Sequence, residues 1–489
     1  MKALLKILRW PAEDRDRRRL ALWTADELAA ATGGTASGPF QVAGVEMDSR
    51  DVRSGDLFFA LRGENSDGHL YLGKAFANGA AAAVVERPIP QPHIVVNDTS
   101  RALELLAETA RNRASARIVG VTGSVGKTGV KEAIFAALER GSKGAAHRSV
   151  RSYNNHVGVP LSLARMPARA LFGVFEMGMN HAGEIAALTV QVRPHVAVIT
   201  TIAPAHIENL GSEEAIADAK AEIFAGLEAL DGSGGHAVIP ADGPHYHRLR
   251  DAALAAGARV LAFGRAAGSE VRLLDAIPVA NGGSLVTAAI ADRRVCYSVA
   301  EPGEHWVMNS LCVMAAVHAA GGDLGAAGLA LSEMGGLKGR GARHRVAVAG
   351  GHALLIDESY NANPASMRAT LVQLGATPAS RRIAVLGSMK ELGEFAPSFH
   401  AQLAEPLAAA QVDYVILVGE EMLALARELG KARGKALGNR VAYAHCHNPG
   451  EAIAALEEFG LTGGDTVLVK GSNSVGLGRL VAHFAAKEG

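Results

Sequence analysis

The sequence predicts an α/β protein of several domains, in which mostly parallel sheets are covered by helices. Short apolar runs alternate with segments of helical period along most of the chain, and this alternation is typical of parallel sheets with helices on their faces. A length of 489 residues fits about three domains, each long enough to bury its own core. The 56 glycines are consistent with many tight turns between elements.

Two changes of pattern divide the chain. A helical segment gives way to the strand ARIVGVTG, and later the glycine-rich, basic stretch GGLKGRGARHRV precedes a new series of strands. We therefore expect a smaller N-terminal α/β domain over residues 1–113, a central domain over 114–343 and a Rossmann-like C-terminal domain over 344–489. The central sheet is expected to be of the phosphate-loop type, mostly parallel, with helices on both faces.

Composition limits the class of partner and the compartment. The 49 basic residues balance 49 acidic ones, which argues against nucleic acid or an anionic membrane surface and favours a small molecule. Cys296, Cys312 and Cys446 have no metal-ligand spacing, which argues against a disulfide framework or a zinc site and favours the cytoplasm. We expect no secretory signal and no membrane span, because the N-terminal apolar stretch is short and no later run approaches about 18 apolar residues.

The stretch IVGVTGSVGKTGVKEAIFAAL nearly matches the phosphate-binding loop G-x-x-x-x-G-K-S/T. Gly126, Lys127 and Thr128 fit the pattern. Val121 stands where the first glycine is usual, and the nearest glycine inside the loop is Gly123. The alternative is a glycine-rich turn that binds nothing.

The context favours the phosphate loop. Val130, Ile134, Phe135 and Leu138 recur with helical spacing and predict a helix with one buried face directly after the loop. The free N–H groups and the dipole of its N-terminus would then favour phosphate, while Lys127 adds charge and the Thr128 hydroxyl suits Mg²⁺.

Three further residues fit a metal-dependent site. Glu176 and His206 each follow an apolar strand, and the carboxyl ends of parallel strands line the ligand crevice of such sheets. Lys220 extends the face of a predicted helical stripe that continues through Ile223 to Leu230. Burial would lower the pKa of its amine, and a neutral amine can react with CO₂ to give an anionic carbamate. A capping acid, a solvated histidine and a lysine stem packed on a helix edge are the plainer alternatives.

These motifs resemble the ATP-dependent Mur ligases of peptidoglycan synthesis over nearly the whole chain. The family's loop T-G-x-x-G-K-T matches residues 122–128, so the displaced glycine is the family's own variant. The resemblance implies that Glu176 and Thr128 hold one Mg²⁺ and that His206 and carbamylated Lys220 hold another. It also implies transfer of the ATP γ-phosphate to a substrate carboxylate, followed by attack of an amine on the acyl phosphate. The implied ATP-binding residues are Gly123, Ser124, Val125, Gly126, Lys127, Thr128, Asn309, Arg340 and Asp357.

Within the family, the stretches YNNHVGVPLSL, EMGMNHAGEI and above all DESYNANPASMRATL favour the branch that joins D-alanyl-D-alanine to UDP-N-acetylmuramoyl-tripeptide. The amides of Asn361 and Asn363, with Tyr360, would suit a zwitterionic dipeptide. An asparagine-proline turn is the structural alternative. The N-terminal block and one central asparagine pair are similar to residues that bind the UDP substrate, namely Ser49, Arg50, Asn65, Asp67, His69, Asn154 and Asn155.

Three positions depart from the family pattern. Trp306 stands where asparagine is frequent, Ser388 where aspartate is usual and Asn473 where arginine is common. Two other functions stay open at this point: a Mur-type ligase that adds a single amino acid, and a nucleotide-gated binding protein without ligase activity. We expect the chain to act as a monomer.

Overall fold

We describe the protein from a computed structural model, which defines residues 21–63, 66–279, 282–431 and 441–486. The described residues form two compact units. The first takes in the chain up to residue 115 together with residues 156–170, and the second takes in residues 116–155 and everything from residue 171 onward.

The first unit is a small α/β domain. Its strands and helices are β1 (Trp23–Thr24), α1 (Ala25–Thr32), β2 (Thr35–Ala36), β3 (Gln41–Val42), β4 (Gly44–Glu46), β5 (Asp56–Phe59), α2 (Leu72–Ala77), β6 (Ala82–Val85), β7 (His93–Val95) and α3 (Thr99–Arg113). Strands β4, β5, β6 and β7 are parallel neighbours, β2 is antiparallel to β7, and β1 pairs with β3. Asp98 caps α3 by accepting hydrogen bonds from two backbone N–H groups of its first turn.

A short segment from the predicted central domain packs within this first unit. Its helix α5 (Gly158–Ala164) ends at a carbonyl that accepts a hydrogen bond of 2.9 Å from the indole of Trp23. The following residue, Arg165, donates a hydrogen bond of 2.6 Å to Glu46. Residues 156–170 thus pack with the first unit. No break in the sequence pattern indicated this.

The second unit begins with a nine-stranded sheet. Its elements are β8 (Arg117–Thr122), α4 (Lys127–Gly141), β9 (Ala146–Arg148), β10 (Phe172–Glu176), α6 (Glu184–Val192), β11 (Val196–Ile199), α7 (Ile207–Leu210), α8 (Glu213–Ala221), β12 (His236–Pro240), α9 (Tyr246–Ala255), β13 (Arg259–Gly264), β14 (Val271–Pro278), β15 (Ser284–Ile290), β16 (Arg293–Val299), α10 (Glu304–Ala319) and α11 (Leu324–Glu333). The strand order is β16-β15-β14-β13-β12-β11-β8-β10-β9, parallel from β9 to β14 and antiparallel through β15 and β16. Strands β8, β10 and β11 are neighbours, so their carboxyl ends bring three loops together.

The second sheet of this unit has six strands in the order β17-β18-β22-β19-β20-β21, parallel except for β17. Its elements are β17 (Ala342–Val348), β18 (Gly351–Glu358), α12 (Pro364–Ala376), β19 (Arg382–Gly387), α13 (Ala396–Ala401), α14 (Ala404–Ala409), β20 (Tyr414–Val418), α15 (Leu423–Lys431), β21 (Ala442–Cys446), α16 (Pro449–Phe459), β22 (Thr466–Lys470) and α17 (Gly478–Ala485). The prediction of an α/β protein with mostly parallel sheets is confirmed. The antiparallel hairpins of β14, β15 and β16 were not predicted.

The helix predicted after the phosphate loop is confirmed as α4, and Val130, Ile134 and Leu138 are buried against the sheet. The helical stripe predicted from Lys220 to Leu230 is wrong in part. Helix α8 ends at Ala221, and residues 222–226 form a 3₁₀ helix in its place. The 3₁₀ helix still buries Ile223 and Phe224, the first apolar residues of the predicted stripe. In the part of the chain that the structure describes, no helix combines the length and apolar character needed to cross a membrane.

Candidate active site

The predicted phosphate loop joins β8 to α4 through two glycines with positive φ. Gly126 has φ +87° and Gly123 has φ +145°, conformations that side chains with a Cβ rarely adopt. An added Cβ on Gly123 would lie 1.9 Å from Oγ1 of Thr200, beyond the end of β11. The Thr200 hydroxyl donates a hydrogen bond of 2.5 Å to the carbonyl of Val125. The loop therefore needs glycine at these positions, whereas Val121 lies inside β8 and needs no special backbone.

Ser124 fixes this loop to the neighbouring strand exit. Its N–H donates to the carbonyl of Thr201 at 2.8 Å, and its hydroxyl donates to the carbonyl of Ala203 at 2.9 Å while accepting from the N–H of Ala203 at 3.0 Å. The first hydrogen bond of α4 runs from the N–H of Val130 to the carbonyl of Gly126. The N–H groups of the preceding first turn have no partner within the helix, and this is the arrangement that binds anions.

Lys127 is folded back over the loop. Its Nζ donates a hydrogen bond of 2.7 Å to the carbonyl oxygen of Gly123. Burial lowers the pKa of Lys127, the carboxylate of Glu176 opposes that change, and the positive charge of Arg340 adds to it. A cation held this way can exchange its single carbonyl partner for a phosphate oxygen.

The Glu176 carboxylate lies at the end of β10 and is 1% exposed. One oxygen accepts a hydrogen bond of 2.9 Å from the hydroxyl of Thr128, and the other accepts one of 2.8 Å from Nδ2 of Asn154. Both donors are neutral, and no cation of the described chain forms an ion pair with Glu176. Burying a carboxylate that has only neutral hydrogen-bond donors and no ion pair is costly, so this site fits a bound metal ion.

Ser152 links the phosphate loop to a residue from the edge of the second sheet. Its hydroxyl lies 3.3 Å from Oγ1 of Thr128 and accepts a hydrogen bond of 3.4 Å from the guanidinium of Arg340. The same guanidinium lies over the ring of Tyr360, 4.4 Å from its centroid. Arg340 thus reaches the phosphate side of the site, where the sequence predicted it.

Lys220 is the unusual group on the metal side. The side chain is 2% exposed, and burial, with the charge of Lys127 nearby, holds its pKa well below the ordinary value. Within the residues that the structure describes, Nζ has neither a hydrogen bond nor an ion pair. These conditions favour a neutral amine and therefore fit carbamate formation.

The loop after β18 carries the predicted dipeptide residues. Asn363 is the N-cap of α12, because its Oδ1 accepts a hydrogen bond of 2.9 Å from the N–H of Ser366. Asn361 is held differently, since Nζ of the buried Lys470 donates 2.9 Å to its carbonyl oxygen. Tyr360 is 40% exposed. The asparagine-proline pair thus starts a helix instead of forming a turn. The Oδ1 of Asn361 accepts a hydrogen bond of 2.9 Å from the N–H of Ala362, which leaves its side-chain NH₂ for a ligand.

Asp357, the predicted ribose residue, is buried at the end of β18. Its carboxylate accepts hydrogen bonds from the N–H of Gly339 at 2.8 Å and from the N–H and hydroxyl of Ser359 at 3.1 and 2.6 Å. The next carboxylate, Glu358, lies 3.5 Å from Nζ of Lys470, and burial raises its pKa. The ribose contact stays a prediction for Asp357.

A single cavity of about 700 Å³ in the second unit is lined by most of the predicted residues of that unit. Those that line it are Ser124, Val125, Gly126, Lys127, Asn154, Asn155, Glu176, His206, Lys220, Asn309, Arg340, Tyr360, Asn361 and Asn363. Gly123, Thr128 and Asp357 do not line it, whereas Glu358 does.

Comparison with known proteins agrees with this geometry. Family models match at residues 41–115 (Mur ligase family, catalytic domain), 121–317 (Mur ligase middle domain) and 344–473 (Mur ligase, glutamate ligase domain). The chain is 33% identical over 447 residues to the UDP-N-acetylmuramoyl-tripeptide--D-alanyl-D-alanine ligase of Synechocystis, covering 90% of this chain and 91% of that protein. The chain belongs to the MurF branch of the Mur ligase family.

Solved structures support the same assignment. MurF from Acinetobacter baumannii has a TM-score of 0.78 at 30% identity, with coverage of 95% of this chain and 99% of that one. MurF from Thermotoga maritima in complex with ADP has a TM-score of 0.70 at 25% identity, with coverage of 91% and 97%. The family resemblance read from the sequence is therefore confirmed, and the MurF-type chain is an ATP-dependent ligase of peptidoglycan synthesis.

Two of the residues that depart from the family pattern, Trp306 and Ser388, make close contacts in this MurF-type ligase. The ring of Trp306 occupies space beside Gly129, where an added Cβ would lie 3.0 Å from the indole. Asn309, one turn further along α10, lies against Gly126, at 3.1 Å from an added Cβ. Ser388 is buried, and its hydroxyl donates to the carbonyl of Val418 at 3.3 Å.

The third departure, Asn473, begins an exposed 3₁₀ turn over residues 473–475. Nothing in the structure explains the change from arginine there.

The predicted UDP residues lie in the first unit, except for Asn154 and Asn155. Arg50 is exposed, and its guanidinium donates hydrogen bonds of 2.9, 3.2 and 2.6 Å to the carboxylate of Asp48, which orient it. The backbone carbonyl of Ser49 accepts a hydrogen bond of 2.7 Å from Asn78. Asn65 lies outside the described residues.

His69 has a structural role within this region. Its Nδ1 donates to Asp67 at 2.7 Å, and its Nε2 accepts from the N–H of Glu86 at 3.1 Å. Both ring nitrogens are therefore used inside the unit. Asp67 also accepts from the N–H of His69, and these hydrogen bonds hold the pKa of Asp67 below its ordinary value.

Sequence reasoning missed several residues that line the cavity, among them Ser152, Thr200, Glu358 and Lys470. A signal existed for Glu358 and Lys470, because they end the apolar strands β18 and β22 at the carboxyl edge of the sheet. Thr200 directly follows β11 and had the same signal, whereas Ser152 lies four residues after β9 and carries no pattern of its own.

Proposed function

We propose that this chain joins D-alanyl-D-alanine to UDP-N-acetylmuramoyl-tripeptide with consumption of ATP, giving UDP-N-acetylmuramoyl-pentapeptide, ADP and phosphate. The observation that carries the proposal is that one cavity is lined by both the phosphate loop and the Tyr360–Asn361 loop. The relatives named for this reaction align with most of the chain. A ligase that adds a single amino acid is not favoured, because the relatives described above are D-alanyl-D-alanine ligases.

The first step is phosphoryl transfer. An oxygen of the tripeptide carboxylate attacks the γ-phosphorus of ATP, the bond to the β-γ bridging oxygen breaks, and ADP leaves. The transferring phosphoryl group is negatively charged. Lys127, Arg340 and the first-turn N–H groups of α4 would stabilise that charge, because Lys127 and Arg340 line the cavity beside the phosphate loop.

The second step forms the amide. The amine of the dipeptide attacks the acyl carbon, the phosphate leaves, and the amine loses its proton. We assign the dipeptide to the loop of Tyr360 and Asn361, with Asn363 shaping the loop through its cap. Asn154 and Asn155 line the cavity of the second unit, and we assign them to the muramoyl substrate. Ser49, Arg50 and Asp67 of the first unit stay predicted contacts of the UDP group.

Two Mg²⁺ positions fit the donor groups. Thr128 and Glu176 offer a hydroxyl and a carboxylate, the oxygen donors that Mg²⁺ prefers. His206 and Lys220 line the same cavity and would form the second position if Lys220 carries a carbamate. Bound Mg²⁺ would neutralise phosphate charge in this reaction.

The test is product analysis by mass spectrometry. Purified enzyme, ATP and Mg²⁺ are incubated with UDP-N-acetylmuramoyl-tripeptide and either D-alanyl-D-alanine or D-alanine. With D-alanyl-D-alanine, we expect the mass of the tripeptide nucleotide to increase by the mass of the dipeptide less one water. With D-alanine, we expect no such increase. Addition of a single residue, with no dipeptide product, would contradict the proposal.

A further inference from the structure

His206 stands at a strained position between two parts of the second unit. It follows β11, precedes α7 and has φ +60°. Its Nδ1 contacts a carboxylate oxygen of Glu391, in the turn after β19. The two residues thus join a loop of the nine-stranded sheet to a loop of the six-stranded sheet.

The contact extends beyond the two side chains. The N–H of Glu208 donates a hydrogen bond of 3.4 Å to the carbonyl oxygen of Glu391. Gly393, with φ +52°, packs so closely on the same helix that an added Cβ would lie 3.2 Å from Cβ of Glu208. The turn at residues 391–393 is therefore seated on α7, and Glu391 is held next to His206 by packed backbone.

This arrangement determines which imidazole nitrogen is available. A carboxylate beside a ring nitrogen favours a proton on that nitrogen, so we expect a neutral His206 ring to carry its proton on Nδ1 and to keep the lone pair on Nε2. The adjacent Lys390 is paired with Glu421 and does not compete for Glu391.

We propose that Glu391 is a positioning residue for the second metal position, holding the His206 ring with Nε2 free for the ion. Metal-binding histidines generally donate their other N–H to a carboxylate or carbonyl, and loss of that partner weakens metal binding by roughly 10- to 100-fold. The inference rests on the proposed metal role of His206. Glu391 lies in the region matched by the Mur ligase, glutamate ligase domain, residues 344–473. The proposal therefore has this region support a metal ligand that belongs to a loop of the nine-stranded sheet.

The test measures Mn²⁺ binding to the full chain with saturating ADP, following free Mn²⁺ by electron paramagnetic resonance. Glu391→Ala is expected to weaken the affinity for Mn²⁺ at the His206 position by about 10- to 100-fold. Glu391→Gln should retain most of the affinity, because its carbonyl oxygen still accepts from Nδ1. Glu394→Ala, an exposed carboxylate of the same turn, is the matched control and should bind Mn²⁺ like the wild type.

The variants separate this inference from the function itself. If His206→Ala weakens Mn²⁺ binding and Glu391→Ala does not, the positioning role is wrong and the metal role of His206 stands. If neither variant changes binding, the assignment of His206 to a metal is wrong as well. Thermal melts of each variant are recorded first, and an equal loss of affinity in Glu394→Ala would also overturn the positioning role.

Discussion

The Nζ of Lys127 donates a hydrogen bond of 2.7 Å to the carbonyl oxygen of Gly123, inside its own loop. The lysine that is expected to meet phosphate is thus held in place by the loop that would bind the same phosphate. Because a carbonyl is a neutral partner, an anionic phosphate oxygen can replace it with a stronger, charge-assisted hydrogen bond.

Lys127→Ala is expected to lower turnover by at least ten-fold and up to a few hundred-fold. Loss of one charge-assisted contact costs about 1.5 to 3 kcal/mol, and that cost falls on the rate when the contact forms only in the transition state. Turnover is measured from ADP release at saturating substrates. Lys338→Ala, which removes an exposed lysine outside the cavity, should leave turnover near the wild-type value. Near-normal turnover in Lys127→Ala would refute the phosphate role.

Lys220 should carry a carbamate. The enzyme incubated with ¹³C-bicarbonate is expected to show a carbamate carbon resonance that Lys220→Ala lacks, because burial favours the neutral amine that reacts with CO₂. Lys220→Ala should be inactive and regain part of its activity with small carboxylates. Full activity of this variant without them, or no resonance in the wild type, would rule out the carbamate.

The two asparagines of the dipeptide loop should behave differently. Asn363→Ala removes the cap of α12 and is expected to lower the free energy of unfolding by about 1 kcal/mol, seen in chemical denaturation. Asn361→Ala removes only a local hydrogen bond to the N–H of Ala362, so it should change stability less than Asn363→Ala, and it should raise the KM for D-alanyl-D-alanine because Asn361 lines the cavity. The reverse pattern would show that the capping residue, and not Asn361, contacts the dipeptide.

Glu301 should make stability depend on pH. Burial raises the pKa of Glu301 to about 7, the carboxylate of Glu358 adds to this, and Arg343 opposes it. The folded chain therefore holds this proton more tightly than the unfolded chain, whose carboxyl titrates near 4.5. The resulting stabilisation is complete below about pH 4.5 and is lost as the pH rises through about 7.

Glu301→Gln cannot ionise, so its stability relative to the wild type should rise between pH 5 and pH 8, by on the order of 2 kcal/mol. Denaturant unfolding at both pH values measures this difference. Glu394→Gln, at an exposed position, should show the same offset at both pH values. An offset for Glu301→Gln that does not change with pH would contradict the buried, protonated carboxyl.

Local pattern was enough to predict the phosphate loop and helix α4, because the glycines and the apolar period act over a few residues. Pattern also placed Glu176 at a strand end, where parallel strands gather polar groups, and His206 in the loop between β11 and α7. The cap role of Asn363 could also be predicted from sequence, because asparagine is favoured at the N-cap of a helix and proline at its first position.

Other features depend on contacts between distant parts of the chain. Helix α8 ends at Ala221 although the apolar stripe continues, because tertiary packing decides where a weakly amphipathic helix stops. The contact of His206 with Glu391 joins two different sheets, and no spacing in the sequence indicates it. Packing of residues 156–170 in the first unit likewise follows from three-dimensional contacts such as that of Trp23.

The most direct test of the central claim is phosphate release from ATP, measured with UDP-N-acetylmuramoyl-tripeptide and D-alanyl-D-alanine present together and each omitted in turn. We expect sustained release only when both are present, and little release when D-alanyl-D-alanine is replaced by free amino acids. Equal release with a single amino acid, or release that does not depend on the muramoyl substrate, would contradict the claim that this chain is the D-alanyl-D-alanine-adding ligase.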